Sequence, residues 1–593
     1  MFFEHEIKWK GEEKANFSKA EFLCDFPNGY LKTRFNELKK LSRGTLEVKE
    51  FCIVKNSDLD GENYKVTIGE KTVIEASTVS GALCALADIK DIAGDNGGIA
   101  SCVFADKPNC EFRAYRTYLP SYTHLEDFYK VCDLIADLKY NTIILEIGGA
   151  MEYERHPEIT EDWRAHVADM RSHSCRTLEF KYDFPWEKNS THADNAEGEI
   201  LTHAQLREIC VNLRDRGLRV IPEVPTLSHS DYIVRPHRDL AERDNDPFPD
   251  TYCPSDPRIY DIVFDILDEV IEVMEPDAIN IGHDEYYSMA VCDRCKGKDP
   301  VDLYVGDIIK IHDYLAKKGV RTIMWGEKLL NAYRGDEPIG GAGVDRINEH
   351  GLHTYVPPLY KCAEKLPRDI FMLNWYWEFG AHLDEAYISN GYKFAYGNLY
   401  GSSHLDKWKE RLAGGTLGGA VSNWGSFNKE AMQRNMQNTS LFTYSYILCS
   451  KTYDSDQIDA LTERVAEYMY KRYLSSLGDN PIEIENYTEE YRKHVYFFDG
   501  VFPTEEDDYG KYEVTFEDGT KAYLPVRYGV NVSAKNIKFG SDDYLQMLGT
   551  TYPVKVEGGF TFRTAFSNPY PEKVINDIKF VPKKEEKVCF KQQ

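Results

Sequence analysis

From residue 112 to about 450, short apolar runs alternate with longer amphipathic segments, and no other feature of this 593-residue chain restricts its fold as much. Arg113–Leu119, Thr142–Ile147, Arg219–Glu223, Ala278–Gly282, Thr322–Trp325, Ile370–Trp375, Lys393–Tyr396 and Gly419–Trp424 read as strands, with turn-forming residues between them. His124–Leu138, His203–Arg216, Pro257–Met274, Asp302–Lys318, Leu383–Ser389 and Leu405–Arg411 read as helices, and Lys429–Cys449 follows the last strand. The connection between the fifth and sixth strands has no clear pattern. Strands separated by helices pair in parallel, because a tight turn cannot return the chain in the same direction. Eight such units predict an α/β fold, a (β/α)8 TIM barrel, which occupies ~250 residues or more. In such barrels the functional groups gather at the C-terminal ends of the strands. The stretch from Gly148 to Glu199 is too long for a simple strand-to-helix connection, and loops of that length are usually binding loops or lids.

The flanks have a different texture. Residues 1–107 combine strand-like Thr45–Val54 and Tyr64–Ala76 with an amphipathic helix over Thr78–Ile92, so a small N-terminal α+β domain is expected. Barrel and trailing helices take 108–480. In 481–593, Tyr512–Phe516, Lys521–Arg527, Val530–Val532, Val554–Val556 and Phe560–Phe566 alternate with Gly-containing turns, which predicts a C-terminal β-sandwich-like domain.

A formal charge of -27 argues against nucleic acid and against an anionic membrane as partner, since both need basic surface. No apolar run is long enough to span a bilayer. Met1 to Lys14 carries many charges and no apolar core of a leader, so a cytoplasmic location is expected. Fourteen cysteines at irregular spacing fit reduced thiols better than a disulfide framework. The oligomeric state is open.

The fourth strand ends in Ile281-Gly282-His283-Asp284-Glu285. Adjacent carboxylates at the mouth of a buried strand disfavour joint ionisation, and an acid and a base with separated pKa values are what acid/base chemistry at neutral pH needs. An isolated Asp-Glu is more often a solvated surface pair. Here other strand ends point the same way. Ile281-Gly282-His283-Asp284-Glu285 resembles the Gly-Gly-Asp-Glu signature of glycoside hydrolase family 20, the β-N-acetylhexosaminidases. Ile221-Pro222-Glu223 with His229 resembles that family's Ile-Pro-Glu segment followed by Gly-His. Phe112-Arg113 resembles its opening Arg-Gly, Met324-Trp325-Gly326-Glu327 its Trp-Asp/Glu strand, Tyr396-Gly397-Asn398 its Tyr-Leu-Asp, and Gly418-Gly419-Ala420 with Trp424 its last strand. The resemblance covers roughly residues 45 to 450.

The resemblance implies a retaining exo-β-N-acetylhexosaminidase that acts on N-acetylhexosamine-containing glycosides. The substrate's own acetamido oxygen would be the nucleophile, giving an oxazoline intermediate, an exception to the two-carboxylate scheme. Glu285 would be the general acid, Asp284 would accept the acetamido N–H, and Tyr396 would orient the acetamido oxygen. Arg113, with Arg116 as the alternative three residues on, would hold ring hydroxyls, and His229 would support the acid. Trp325, Trp375 or Trp377, and Trp424 would wall the sugar, although large aromatics also dominate cores. Asn398 stands where the family has Asp, Ser426 where it has an acid, and Glu146-Ile147-Gly148-Gly149 where it has a His…Asp pattern. These departures leave open a related glycosidase with altered specificity at C4 or C6, or a weak sugar-binding protein on the same scaffold. No cofactor is expected for catalysis. Cys292-x-x-Cys295 is half of a common zinc site; Cys253, with Cys362 or a histidine, would complete a structural one, and free thiols are the alternative.

Overall fold

The computed structural model describes residues 2–42, 44–173, 184–348, 350–401, 405–492, 507–583 and 588–592. Eight parallel strands close into a barrel in chain order: β1 (Phe112–Tyr118), β2 (Thr142–Glu146), β3 (Arg219–Thr226), β4 (Ala278–Gly282), β5 (Arg321–Trp325), β6 (Phe371–Asn374), β7 (Phe394–Leu399) and β8 (Gly418–Asn423). Strand β8 pairs back onto β1, from Gly418 opposite Phe112 to Asn423 opposite Thr117. The expected strands and observed ones agree within a few residues. The connection from β5 to β6 is built from two antiparallel hairpins, Asn331–Arg334 with Glu337–Gly340 and Val344–Ile347 with His353–Val356. It lacks a helical period because it is not helical.

Alternate residues of a strand face opposite sides, and the barrel interior shows which set faces in. Phe112 and Ala114, Ile144, Ile221, Ala278, Ile323 and Trp325, Leu373, Ala395 and Ala420 pack together inside. Continued in steps of two toward the C-terminal mouth, this phase reaches Arg116, Glu146, Glu223, Asn280, Trp375, Gly397 and, past Ser422, Trp424. The other phase packs under the surrounding helices: Tyr115, Ile143, Leu145, Val220, Ile279, Met324, Met372 and Tyr396 all belong to the outer core.

The N-terminal region is a seven-stranded sheet carrying the helices Gly29–Leu41 and Val79–Asn96, with its own core around Phe35, Phe51, Ile74 and Ile89. After β8, helices Gln437–Cys449 and Ile458–Ser476 lead to two antiparallel sheets of four and three strands. Ile482 and Ile484 of one sheet and Tyr512, Val514 and Val526 of the other share a core, the sandwich arrangement expected. Val530–Val532, expected as a strand, forms only an isolated bridge between Tyr528 and Val532. No described helix is long and apolar enough to cross a membrane.

Candidate active site

Strand β4 ends where the chain must turn sharply. Gly282 has φ +73°, and a Cβ there would lie 3.2 Å from Pro225 Cα of β3. His283 and Glu285 also take positive φ, +65° and +46°. Such conformations are costly for residues with a Cβ and persist only where surrounding contacts hold them. The His283 ring is fully buried, with Nδ1 3.0 Å from Thr226 Oγ1 and Nε2 2.8 Å from Asp307 Oδ2. Asp307 also accepts from Tyr252 (2.9 Å) and Tyr260 (2.7 Å). His283 is thus held by Thr226 and Asp307 inside the protein and anchors the turn from behind.

The turn presents Asp284 and Glu285 to His229, which follows β3 and itself has φ +46°. His229 Nε2 lies 3.3 Å from Glu285 Oε2 and 3.7 Å from Asp284 Oδ2. Its Nδ1 lies 3.2 Å from the Ser190 carbonyl, which can accept only an N–H. The Glu285 backbone N–H donates to Glu327 Oε1 at 2.9 Å, and Trp375 Nε1 donates to Glu327 Oε2 at 3.1 Å. Lys328 Nζ lies 3.9 Å from Glu327.

A second network sits beside the first. Arg116 is fully buried; its Nη2 donates to Glu146 and, at 2.5 Å, to Glu223 Oε1. Asn280 Nδ2 donates to Glu223 Oε2 at 2.6 Å. Glu146 Oε1 lies 2.6 Å from His192 Nδ1, and the His192 ring stacks on His229 with centroids 4.4 Å apart. The guanidinium of Arg116 lies 3.5 Å over the Trp424 ring, and Arg116 Nη1 has no hydrogen-bond partner among the described residues.

Glu146, Glu223, Asp284, Glu285 and Glu327 therefore crowd around Arg116, His229 and Lys328. Burial raises Asp284, and Glu327, Glu285 and Glu223 add to it, so that it reaches about 8 despite His229. Burial would lower His229, but Asp284 and Glu285 outweigh it and push His229 up to about 10. Burial would raise Glu285, but the hydrogen bond and charge of His229 hold it below the usual range. Glu146, raised by burial, is pulled down to about 2 by His192 and Arg116. Burial raises both Glu223 and Glu327 and lowers Lys328. Opposed shifts on adjacent carboxyls are the arrangement in which acid and base roles separate.

Several expected site residues lie elsewhere. Arg113 is on the outward phase at the opposite end of β1, where it donates to the carbonyls of Lys139 and Cys110, both at 2.6 Å, and pairs with Glu62 at 2.8 Å. Arg116 is the arginine at the mouth. Tyr396 is also outward, because Ala395 faces in. Its hydroxyl donates to Asp384 at 2.6 Å, and Arg411 lies 5.1 Å over its ring. Trp377 is 1 % exposed, and its Nε1 donates to the Gly397 carbonyl at 2.8 Å, so it packs in the outer core rather than lining the mouth. Trp325 is inward but fully buried; a Cβ at Gly397 would lie 2.2 Å from its ring. Trp375 and Trp424 are partly exposed at the mouth. Asn398 has φ +49°, where the pairing of β7 with β8 shifts register, and its Oδ1 has no hydrogen-bond partner among the described residues.

His192 was not foreseen; it comes from the long segment after β2, whose length alone marked it as a binding loop. The same segment carries Glu197, whose carboxylate accepts from the Ser426 hydroxyl and lies 2.6 Å from His124 Nδ1. A carboxylate thus stands at Ser426, where the chain itself lacks the family's acid. Cys253, Cys292 and Cys295 come together, joined by Glu242, with their ligand atoms all within 4.8 Å of one another. Cys362 is not among them; its Sγ faces the Lys328 carbonyl at 3.7 Å.

Residues 120–339 match the glycosyl hydrolase family 20 catalytic domain. Over that stretch the chain resembles the family's catalytic domain. The match includes β2 to β5 and the acid pair, and leaves out β1 and β6 to β8. The chain is 24% identical over 276 residues to a β-hexosaminidase of Vibrio furnissii, and the aligned part is 43% of each chain, less than half of that relative's length. Among solved structures, the fold resembles a β-N-acetylhexosaminidase from Bacteroides fragilis (TM-score 0.54, 17% identity, 76% of this chain and 91% of that one). It also resembles a Vibrio harveyi exo-β-N-acetylglucosaminidase solved with N-acetylglucosamine (TM-score 0.57, 16% identity, 79% of this chain and 76% of that one).

Proposed function

We propose that this barrel is a retaining exo-β-N-acetylhexosaminidase that removes a terminal N-acetylhexosamine with the help of the substrate's acetamido group. The observation that carries the reading is the Asp284–Glu285 pair at the end of β4, bridged by His229 and flanked by the free Nη1 of Arg116. Glu285 protonates the leaving oxygen, and Asp284 accepts the acetamido N–H and stabilises the developing positive charge. In the free site the proton belongs to Asp284 and His229 holds Glu285 ionised. An acetamido N–H donated to Asp284 favours its charged form. His229, in reach of both carboxyls, first passes its Nε2 proton to Glu285 and then, with Nε2 bare, takes the proton of Asp284 at the same nitrogen. Arg116 holds ring hydroxyls, and Trp375 and Trp424 flank the sugar. With Tyr396 turned outward, Tyr287 and Tyr376 are two phenols among the described residues within electrostatic reach of Glu285, and one of them orients the acetamido oxygen.

Turnover of the aryl β-glycosides of N-acetylglucosamine, N-acetylgalactosamine and glucose tests this. Hydrolysis of an N-acetyl sugar, little or none of the glucoside, and tight inhibition by a thiazoline mimic of the intermediate are expected. Efficient cleavage of the plain glucoside, or a fluorosugar trapped as an ester on Asp or Glu, would replace this mechanism with double displacement.

A further inference from the structure

We infer that Glu242, Cys253, Cys292 and Cys295 bind one divalent cation of the zinc class, which clips the loop after β4 to the loop after β3. Two strand-like stretches bring the first pair together. Ala241 and Tyr252 form an antiparallel bridge; the Glu242 N–H donates to the Thr251 carbonyl at 2.9 Å and the Cys253 N–H to the Leu240 carbonyl at 2.7 Å. The second pair is a tight turn, in which the Cys295 and Lys296 N–H groups donate to the Cys292 carbonyl at 3.1 and 2.8 Å. Cys253 Sγ lies 3.4 Å from both Cys295 Sγ and Cys292 Sγ, and Cys292 Sγ lies 3.1 Å from Glu242 Oε2. Four ligands around a tetrahedral zinc with bonds of ~2.3 Å to sulfur would set the sulfurs ~3.8 Å apart, so a few tenths of an ångström of movement seats the ion.

The donor set selects the metal. Three thiolates favour zinc-class ions over magnesium or calcium, which prefer oxygen alone. Three sulfurs and a carboxylate fill a tetrahedron and leave no open position, the pattern of a structural site. The neighbours aim the ligands. Glu242 Oε1 accepts the N–H groups of Val291 (2.8 Å) and Cys292 (3.4 Å), which turns Oε2 toward the sulfurs. Arg294 Nε lies 3.4 Å from Cys253 Sγ, and its Nη1 pairs with Asp256 at 3.1 Å. That cation offsets the excess negative charge of four anionic ligands around a dication. A dication would also neutralise Glu242, which is fully buried. Outer contacts of this kind set ligand orientation and affinity. The clipped loop begins at Glu285, so the ion would hold the far end of the segment that carries the acid. It does not enter the proposed chemistry.

The test uses the full chain, purified under reducing conditions without chelator and dialysed against zinc. It should keep about one zinc per chain, released in step as a mercurial titrates the thiols. Cobalt loading should produce thiolate-to-cobalt charge-transfer absorption. Cys292→Ser and Cys295→Ser should lose most of the zinc, Cys362→Ser should keep it, and Glu242→Gln should surrender it to a weaker chelator. Stripping the wild type should lower Tm by several degrees, and added zinc should restore it. Substoichiometric zinc after reloading, or full zinc in Cys292→Ser, would overturn the site. If the cysteine variants do not fold, Glu242→Gln and chelation of the wild type decide. None of these measurements needs a substrate, so they stand or fall separately from the hexosaminidase reading.

Discussion

Strand β1 buries two arginines three residues apart, and they mark the two ends of the barrel. Arg113 at the floor pairs with Glu62 of the N-terminal region and with carbonyls, so every direction its guanidinium faces is used for attachment. Arg116 at the mouth pairs with Glu146 and Glu223, lies over Trp424, and keeps Nη1 unengaged. Both are ion-paired and almost fully buried, so neither burial nor charge tells them apart. What differs is the surplus. The floor is satisfied, while the mouth holds more carboxylates than cations, with Asp284 raised and Glu146 lowered. Unresolved charge of this kind is costly to stability and is typical of functional sites.

The contrast can be broken at its strongest point first. Glu285→Gln should lower kcat by roughly 10²–10⁴-fold on glycosides with poor leaving groups and by much less on activated aryl glycosides, measured by steady-state kinetics on both. Equal losses would remove Glu285 as the acid. Next come the arginines. Arg116→Ala should lower kcat/KM by roughly 10²-fold or more, as loss of a transition-state contact does. Arg113→Ala should leave kcat/KM per folded molecule unchanged and cost about 1–3 kcal/mol of stability, because the Lys139 and Cys110 carbonyls lose their donor and half-buried Glu62 keeps only Ser80 and Asn141. Denaturant unfolding and kinetics on both variants would show the floor and mouth exchanging roles if the assignment is wrong.

Asp284→Asn separates function from stability. A folded pKa of about 8, against ~3.9 unfolded, means that the native carboxyl keeps a proton which the unfolded chain has already released. Wild-type stability should therefore fall as pH rises from about 4 toward 8, and the amide should remove that slope. Tm of the variant should exceed the wild type at pH 8 and converge with it near pH 4, while kcat drops. His229, raised to about 10 from ~6.5, adds a further loss between those values in the wild type. The smallest effect belongs to the outward shell. Tyr396→Phe should leave kcat unchanged and cost about 1–2 kcal/mol through the lost bond to Asp384. A large fall in kcat would return Tyr396 to the site.

Local patterns were enough to place the barrel, its strands and the Asp284–Glu285 carboxylates at a strand end, because these rest on apolar runs, helical periods and two adjacent acidic residues after a buried strand. The sequence also marked Cys253, Cys292 and Cys295 as ligands in search of a fourth. It did not determine which way each strand residue faces. A solvated strand shows its phase as alternating polar and apolar residues, but parallel barrel strands are buried on both sides and read as continuous apolar runs. Arg113 and Arg116 differ by an odd number of residues and so face opposite ways, yet nothing local says which faces in. Tyr396 was misplaced for the same reason. Closure of the barrel decided it, by filling the interior with Phe112, Ala114 and Ala395. Contacts across long sequence separations decided the rest. His192 reaches His229 from the segment after β2, and Glu242 meets Cys292 through backbone pairing around Ala241 and Tyr252. His192 and Glu242 carry no periodic or motif signal, since their roles exist only once distant segments have been brought within a few ångströms.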